Sequence, residues 1–401
     1  MAYYVDLDYY DDEAELLVEL WAEIENELIE EIAKRVSATG ITYTGEFKAR
    51  QLAEANLLNK RAVQLISEKS GLSNELVEQI IHDVGLDVAE RDEYIYRQAA
   101  ASGQLTFDPL PVDKSPALEK TLEGVIENAR SFQDTIRECT AEAQYGLSNL
   151  TNTRMMNAGN GKITLTKAAR LEYYNTCNLA FLQVRTGNKT VADATRSACM
   201  TLADKGIYIT HWESGHNDTI EVSVRRNIRT AMAQTSGKMT LSMMGDYQHD
   251  LVEVSSHMGA RPSHAVWKGG IYSLTGAEGY ENFYEATGYG TLLGLCGVNC
   301  RHRFFPYFPG TTPAFEHYDE EENLKAYEIT QEQRALERNI RAAKRKEAAA
   351  KGLGEDHSEE SKTVRSAQAA MRKFIKEHPQ TRRRYDREQI YIGKEEKEEN
   401  K

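Results

Sequence analysis

The sequence predicts an α+β protein with a mostly helical N-terminal half, a compact α/β central domain and a helical, basic C-terminal arm. Three observations carry this reading. Apolar residues near the N-terminus recur at helical spacing. After residue 206 short β-branched, alternating runs appear between glycine-rich turns. Beyond Phe315 the chain returns to long polar helical patterns studded with Lys and Arg. With 401 residues, the chain exceeds what one hydrophobic core of up to ~300 residues supports. The predicted divisions are a helical docking region at 1–205, an α/β domain at 206–315 and a basic tail at 316–401.

Taken in order, residues 12–36 form an amphipathic helix, with Leu16, Leu17, Leu20, Ile24, Leu28 and Ile32 as a narrow apolar stripe and acids on the other face. Residues 45–102 read as two or three helices, with Ser73 as an N-cap and Gly85 as a helix end. "FDPLPVDKSP" (107–116) holds three prolines and reads as a linker or an extended strap. Helical periodicity resumes over 117–145. A short β-like run at 163–165 precedes another helix, and "TVADATRSACMTLADKG" is a helix ended by Gly206. "GIYIT", "TIEVSV" and "DLVEVSS" read as strands, with a helix from Ser223 to Tyr247 between the second and third. Two basic helices follow, the second stopped by Pro379. They hold few residues able to build a core, and the very end reads as disordered.

Charge is distributed unevenly. The net charge is −13, yet residues 1–36 carry 12 acids and 2 bases while residues 330–387 carry 16 bases and 9 acids. Opposite ends therefore suit different partners. The tail residues Arg341, Lys344, Arg345, Lys346, Arg382, Arg383 and Arg384 are the candidates for nucleic-acid contact through phosphates. No apolar run approaches the ~20 residues of a membrane span. The N-terminal stretch is acidic, unlike a signal peptide, which predicts synthesis in the cytoplasm. The five cysteines are expected to be free thiols there.

Chemistry concentrates in "VSSHMGARPSHAVWKGGIYSL" (254–274) and "CGVNCRHR" (296–303). His257, His264, Cys296, Cys300 and His302 are zinc-ligand types, although their spacing departs from the usual paired knuckles. No cofactor is expected, with zinc as the one alternative. An acid–base reading assigns His257 and His264 to proton transfer and Lys268, with Arg261 or Arg301, to phosphate stabilisation, as in a nuclease or toxin-like effector. The third reading is structural: Trp267, Ile271, Tyr272 and Leu274 pack, the glycines turn the chain, and His and Arg satisfy backbone carbonyls. No P-loop, dinucleotide fingerprint, H-E-x-x-H or G-x-S-x-G is present, so the protein is read as leaning away from enzymes.

The stretch "DLVEVSSHMGARPSHAVWKGGIYSLTG", followed by "TGYGTLLGLCGVNCRHRFFPYFPG", resembles the tailed-bacteriophage minor capsid proteins called phage minor capsid protein 2. That group is itself similar to the Mu F-type head-morphogenesis proteins. The helical N-terminal half and the basic tail fit the group's layout. The matching residues are His257, Arg261, Pro262, His264, Trp267, Gly269, Tyr272, Gly288, Gly290, Cys300, Arg301 and His302. The resemblance implies a structural protein of the virion, in the head interior or at the portal vertex. It implies the portal protein and the major capsid or scaffolding protein as partners, and packaged DNA as a further one. It transfers no catalytic role. The group commonly has Gln where Lys268 stands and Lys where Gly270 stands, so it gives Lys268 no fixed function.

Overall fold

The computed structural model describes residues 9–13, 15–40, 45–105, 120–121, 123–124, 126, 165–185, 189–211, 217–354 and 356–390. Two compact units emerge, each assembled from separated stretches of chain. One comprises Met1–Leu16, Asn74–Phe132 and Arg225–Gln331; the other comprises Leu17–Ser73, Gln133–Val224 and Glu332–Lys401. The linker expected at 107–116 lies outside the described residues, as does most of the helix expected over 117–145; those of 120–126 that are described are helical.

In the second unit the helix Glu15–Thr39 supplies the core, with Leu17, Leu20, Ile24, Leu28 and Ile32 buried. Leu16, expected in the same stripe, is 64% exposed in the first turn. The stripe is also far from narrow: 14 of the helix's 25 residues are buried, Glu25 and Asn26 among them. Three of its acids, Glu23, Glu27 and Glu31, are ion-paired within the unit. Lys69 bonds Glu23 at 2.8 Å, Arg61 bonds Glu27 at 3.3 Å, and Arg35 joins Glu31 and Glu54. Tyr173, from the helix Leu165–Arg185, meets Thr39 at 2.5 Å and donates to the Gln51 carbonyl at 3.2 Å. The helix Val191–Lys205 is capped by Thr190, whose side chain accepts the Asp193 amide, and ends on Gly206 as predicted. Gly206 sits at φ 79°, and an added Cβ there would lie 2.6 Å from Glu25 Oε1, the oxygen that accepts the Ile207 amide. A two-stranded antiparallel ribbon follows, β1 (Tyr208–His211) with β2 (Asn217–Thr219).

Two expectations are corrected here. The region 45–102 is one helix, Gly45–Ala101, which passes Ser73 and Gly85 unbroken. Val77, Ile81, Val84, Val88, Ile95 and Ala99 are buried at steps of three, four and seven. That continuous stripe outweighs the ~1 kcal/mol a mid-helix glycine costs. "TIEVSV" is not a strand: β2 ends at Thr219, and Ile220 opens the helix Ile220–Asp246. Ile220, Val222 and Val224 do alternate, but Ile228, Met232, Thr235, Met239 and Met243 extend a buried helical stripe behind them.

The first unit is built on a four-stranded mixed sheet in the order β5-β4-β3-β6. β3 (Leu251–Val254) pairs antiparallel with β4 (Ile271–Ser273) and with β6 (Phe304–Pro306), and β4 runs parallel to β5 (Glu281–Asn282). β3, a central strand, is buried throughout, and so is the edge strand β6. Phe304 contacts Phe283 at 4.9 Å and Tyr289 at 5.6 Å between ring centroids.

A buried polar link in this unit ties the long helix to Ile220–Asp246. Thr240 Oγ1 donates to Asp92 Oδ2 at 2.6 Å, while Arg91 holds the other oxygen at 2.7 Å. Asp92 is wholly inaccessible, and burial pushes its carboxyl upward despite Arg91 and Thr240. Thr240→Val keeps the shape and deletes one donor to a buried acid. We expect a loss of about 2 kcal/mol, read as a lower denaturant midpoint at unchanged slope.

Candidate functional site

The sheet delivers the histidines to one place. His257 follows β3, His302 precedes β6, and β3 and β6 are hydrogen-bonded neighbours. His264 comes from the four-residue helix Pro262–Ala265, which Pro262 opens at its first position. His257 and His302 stack with centroids 4.4 Å apart and planes at 18°. His264 lies 5.4 Å from His302 and 4.5 Å from Trp267, and the Trp267 ring is edge-on to His302 at 4.9 Å.

Each imidazole is tied to backbone. His257 Nδ1 donates to the Met258 carbonyl at 3.1 Å, His264 Nε2 to Leu293 at 2.9 Å, and His302 Nδ1 to Ser255 at 3.0 Å. A carbonyl only accepts, so these bonds define the tautomers. His264 Nδ1 is left facing Cys300 Sγ at 3.8 Å. Burial lowers all three histidines, with further lowering from Arg301 and Lys268 on His257, from Arg261 on His264, and from the other two histidines on His302. His257 and His264 fall to about 4. Burial pushes both thiols, Cys296 and Cys300, upward. At neutral pH the cluster is therefore uncharged imidazole and thiol.

The remaining polar groups brace loops. Arg261 donates to the Val298 carbonyl at 2.5 Å, which with the His264–Leu293 bond fastens the short helix to the glycine-rich loop 288–299. Tyr272 donates to the Trp267 carbonyl at 2.8 Å. Gly269 is buried at φ 73°, Gly288 caps the helix Phe283–Thr287 in the left-handed region, and Gly290 is exposed at φ 89°. Lys268 is buried and committed, donating to Asn323 Oδ1 at 2.5 Å and the His257 carbonyl at 3.2 Å. The residues quoted from 254–274 and 296–303 thus converge.

The five zinc-ligand candidates do not make a metal-holding set. Among the described residues no group of three or more His, Cys, Asp or Glu has a metal-holding arrangement. Zinc binds in the plane of an imidazole at ~2.0–2.1 Å, so the stacked, nearly parallel rings of His257 and His302 do not both point at one ion. The cysteines Cys177, Cys199, Cys296 and Cys300 are free thiols, and Cys139 lies outside the described residues.

Three contributors escaped the sequence reading. Asn323, almost inaccessible in the helix Glu320–Gly352, accepts from the Ala260 amide at 3.0 Å and donates back to its carbonyl at 2.8 Å. Ser255 Oγ accepts the Arg303 amide at 2.9 Å. Arg303 itself is buried with its guanidinium over Tyr9 and Tyr10, at 4.2 and 4.5 Å. Only the bases beside the histidine in "CRHR" hinted at the last.

In the second unit six of the tail's seven candidate bases are held by side-chain bonds within the unit, and Arg382 is exposed. Arg345 donates to the Ala203 carbonyl at 2.8 Å, Lys346 pairs with Asp204 at 2.6 Å, and Lys344 bonds Gln389 at 2.9 Å. Arg341 donates to the Arg387 carbonyl. Arg383 forks onto Glu388, Arg384 pairs with Asp386 at 2.9 Å, and the Arg382 carbonyl accepts from Gln333. Nor is the arm without a core: Ile340, Ala343, Met371 and Phe374 are buried, correcting the expectation of an apolar-poor tail.

The most elaborate polar cluster of the first unit holds that unit's own loops in place. The chain belongs to the phage minor capsid protein 2 family, which matches residues 5–376. It is 26% identical over 367 residues to a structural protein of Lactococcus phage LL-H, spanning 87% of this chain and 90% of that protein. A structural protein of Lactococcus phage mv4 is 40% identical over 114 residues, 28% of this chain and 92% of that shorter protein. No solved structure matches. Among the described residues no helix is long and apolar enough to cross a membrane.

Proposed function

We propose that this minor capsid protein works at the portal vertex of the phage head, docking on the portal protein during head assembly. The major capsid or scaffolding protein is its other protein neighbour, and packaged DNA lies against its basic side. The observation that carries a structural role over a catalytic one is the state of the histidine cluster. With His257 and His264 at about 4, only ~1 imidazole in 1,000 is protonated at pH 7, and such weak bases accept protons poorly. Family membership supports the virion setting.

Affinity capture of the tagged full-length chain from infected cells tests the placement. Portal protein should be recovered stoichiometrically; its absence from captures that do contain other head proteins would move the docking site elsewhere. Catalysis is tested separately. Purified protein incubated with RNA and DNA, with and without chelator, is expected to match a His264→Ala control within error. Turnover that the substitution abolishes would restore the nuclease reading.

A further inference from the structure

A row of outward-pointing bases lies away from the densest sequence clusters. In the helix Ser358–Glu377, Lys362, Arg365, Arg372, Lys373 and Lys376 are all exposed. At 3.6 residues per turn these five fall within an arc of about 100°. Met371 and Phe374 are buried on the far side, at 0% and 4% exposure. The helix is thus fastened to its unit by an apolar face and presents a straight basic row opposite. From Lys362 to Lys376 the row runs ~21 Å.

Lys362 reaches Glu359 at 2.6 Å and Lys373 reaches Glu377 at 3.7 Å. With side-chain exposures of 63% and 76% for the two lysines, such pairs hold little and yield readily to a stronger anion. Arg365, Arg372 and Lys376 have no ion-pair or hydrogen-bond partner among the described residues.

We infer that this face is a sequence-independent binding surface for the phosphate backbone of nucleic acid. It deepens the proposal that DNA lies against the basic side, and rests on that reading while naming different residues for it. The residues interleaved on the exposed side are small or polar: Thr363, Ser366, Ala369 and Ala370. A protein interface of useful affinity needs aromatic or aliphatic anchors, and a helix that lies on a membrane needs an outward apolar face. This helix offers neither, because its apolar residues are already buried. Charge without anchors suits a polyanion whose binding is driven by counterion release.

The test uses the full-length protein and a labelled 30-base-pair duplex of random sequence, with anisotropy followed from 50 to 200 mM salt. Five phosphate contacts predict a log–log slope near −4.5, and hence a loss of affinity of ~500-fold over that range. The triple variant Arg365→Gln/Arg372→Gln/Lys376→Gln should bind more weakly and lose only ~10-fold. A matched triple at other exposed lysines, Lys60→Gln/Lys238→Gln/Lys325→Gln, changes net charge equally and should keep the steep slope. Equal slopes for wild type and the face variant overturn the inference. So does capture by vesicles containing anionic lipid in preference to the duplex. Portal recovery by the face variant reports on the docking proposal independently: it should be unchanged, so failure of one reading does not mask failure of the other.

Discussion

Gly294→Ala is expected to cost at least ~3 kcal/mol and to leave the first unit unable to close its glycine-rich loop. A Cβ built on Gly294 would lie 2.0 Å from the Gly288 oxygen, 2.4 Å from its carbonyl carbon and 2.9 Å from the Thr287 oxygen. All three obstacles are backbone, so no rotamer change relieves them. The approach is enforced from both sides. The Leu295 amide donates to the Thr287 carbonyl at 3.0 Å, and the Val298 amide donates to Leu292 at 2.8 Å. Opening the loop to admit a methyl group breaks the first bond and shifts the Leu293 carbonyl that receives His264. Since whole domains are stable by only ~5–15 kcal/mol, we expect little folded protein at 37 °C. Gly290→Ala is the control. Gly290 is at φ 89° with nothing near a would-be Cβ, so it should lose only ~1 kcal/mol for the unfavourable backbone region. Denaturant midpoints for the pair measure the difference; an alanine at 294 tolerated as well as one at 290 would show that the loop is not closed this way.

This contrast also marks what could be read from residues alone. "GTLLGLCGVNC" is visibly a tight turn, but which glycine is irreplaceable depends on which carbonyl passes beneath it, and that is set by contacts across the loop. Periodic features were legible because one stretch of chain contains their whole cause. Leu20, Ile24, Leu28 and Ile32 announce their helix, and Gly206 marks the end of another. Where local and long-range preferences disagree, packing wins: Gly85 is carried through by Val84 and Val88, and the strand-like Ile220–Val224 is drawn into a helix by the residues after it.

The site shows the same division. Its histidines and cysteines were identifiable, yet the sequence left metal, acid–base and bracing roles open, because ring planes and hydrogen-bond partners decide among them. Lys268 needed Asn323, 55 residues away. The tail inverted expectation for a related reason. In the dense run Arg382–Arg384, Arg383 and Arg384 double back on Glu388 and Asp386. Bases spread at helical spacing over 362–376 look dilute on the page and align in space.

Acid is expected to unfold the first unit well above the pH at which ordinary carboxylates protonate. In the unfolded chain each histidine titrates near 6.5. In the folded protein burial holds His257 and His264 at about 4, and His302 lower than its ordinary value as well. The unfolded state therefore binds more protons than the folded state once pH drops below 6.5. The stability these groups contribute is complete above that pH and is lost progressively down to about 4. Each histidine can remove up to ~1.4 kcal/mol per pH unit, and three together up to ~4. Asp92 and Glu253 act in the opposite sense, because burial raises their carboxyls in the folded state. The histidine share is consequently read by difference. Chemical denaturation at pH 7.5, 6.0 and 5.0 should show a steep fall for the wild type and a much shallower one for His257→Gln/His264→Gln, whatever that variant's stability at pH 7.5. Imidazole proton shifts followed by NMR provide the independent check. If His257 and His264 titrate near 6.5 in the folded protein, or if stability is flat from pH 7.5 to 5.0, these rings are solvated, and the cluster does not brace the loops as an uncharged stack.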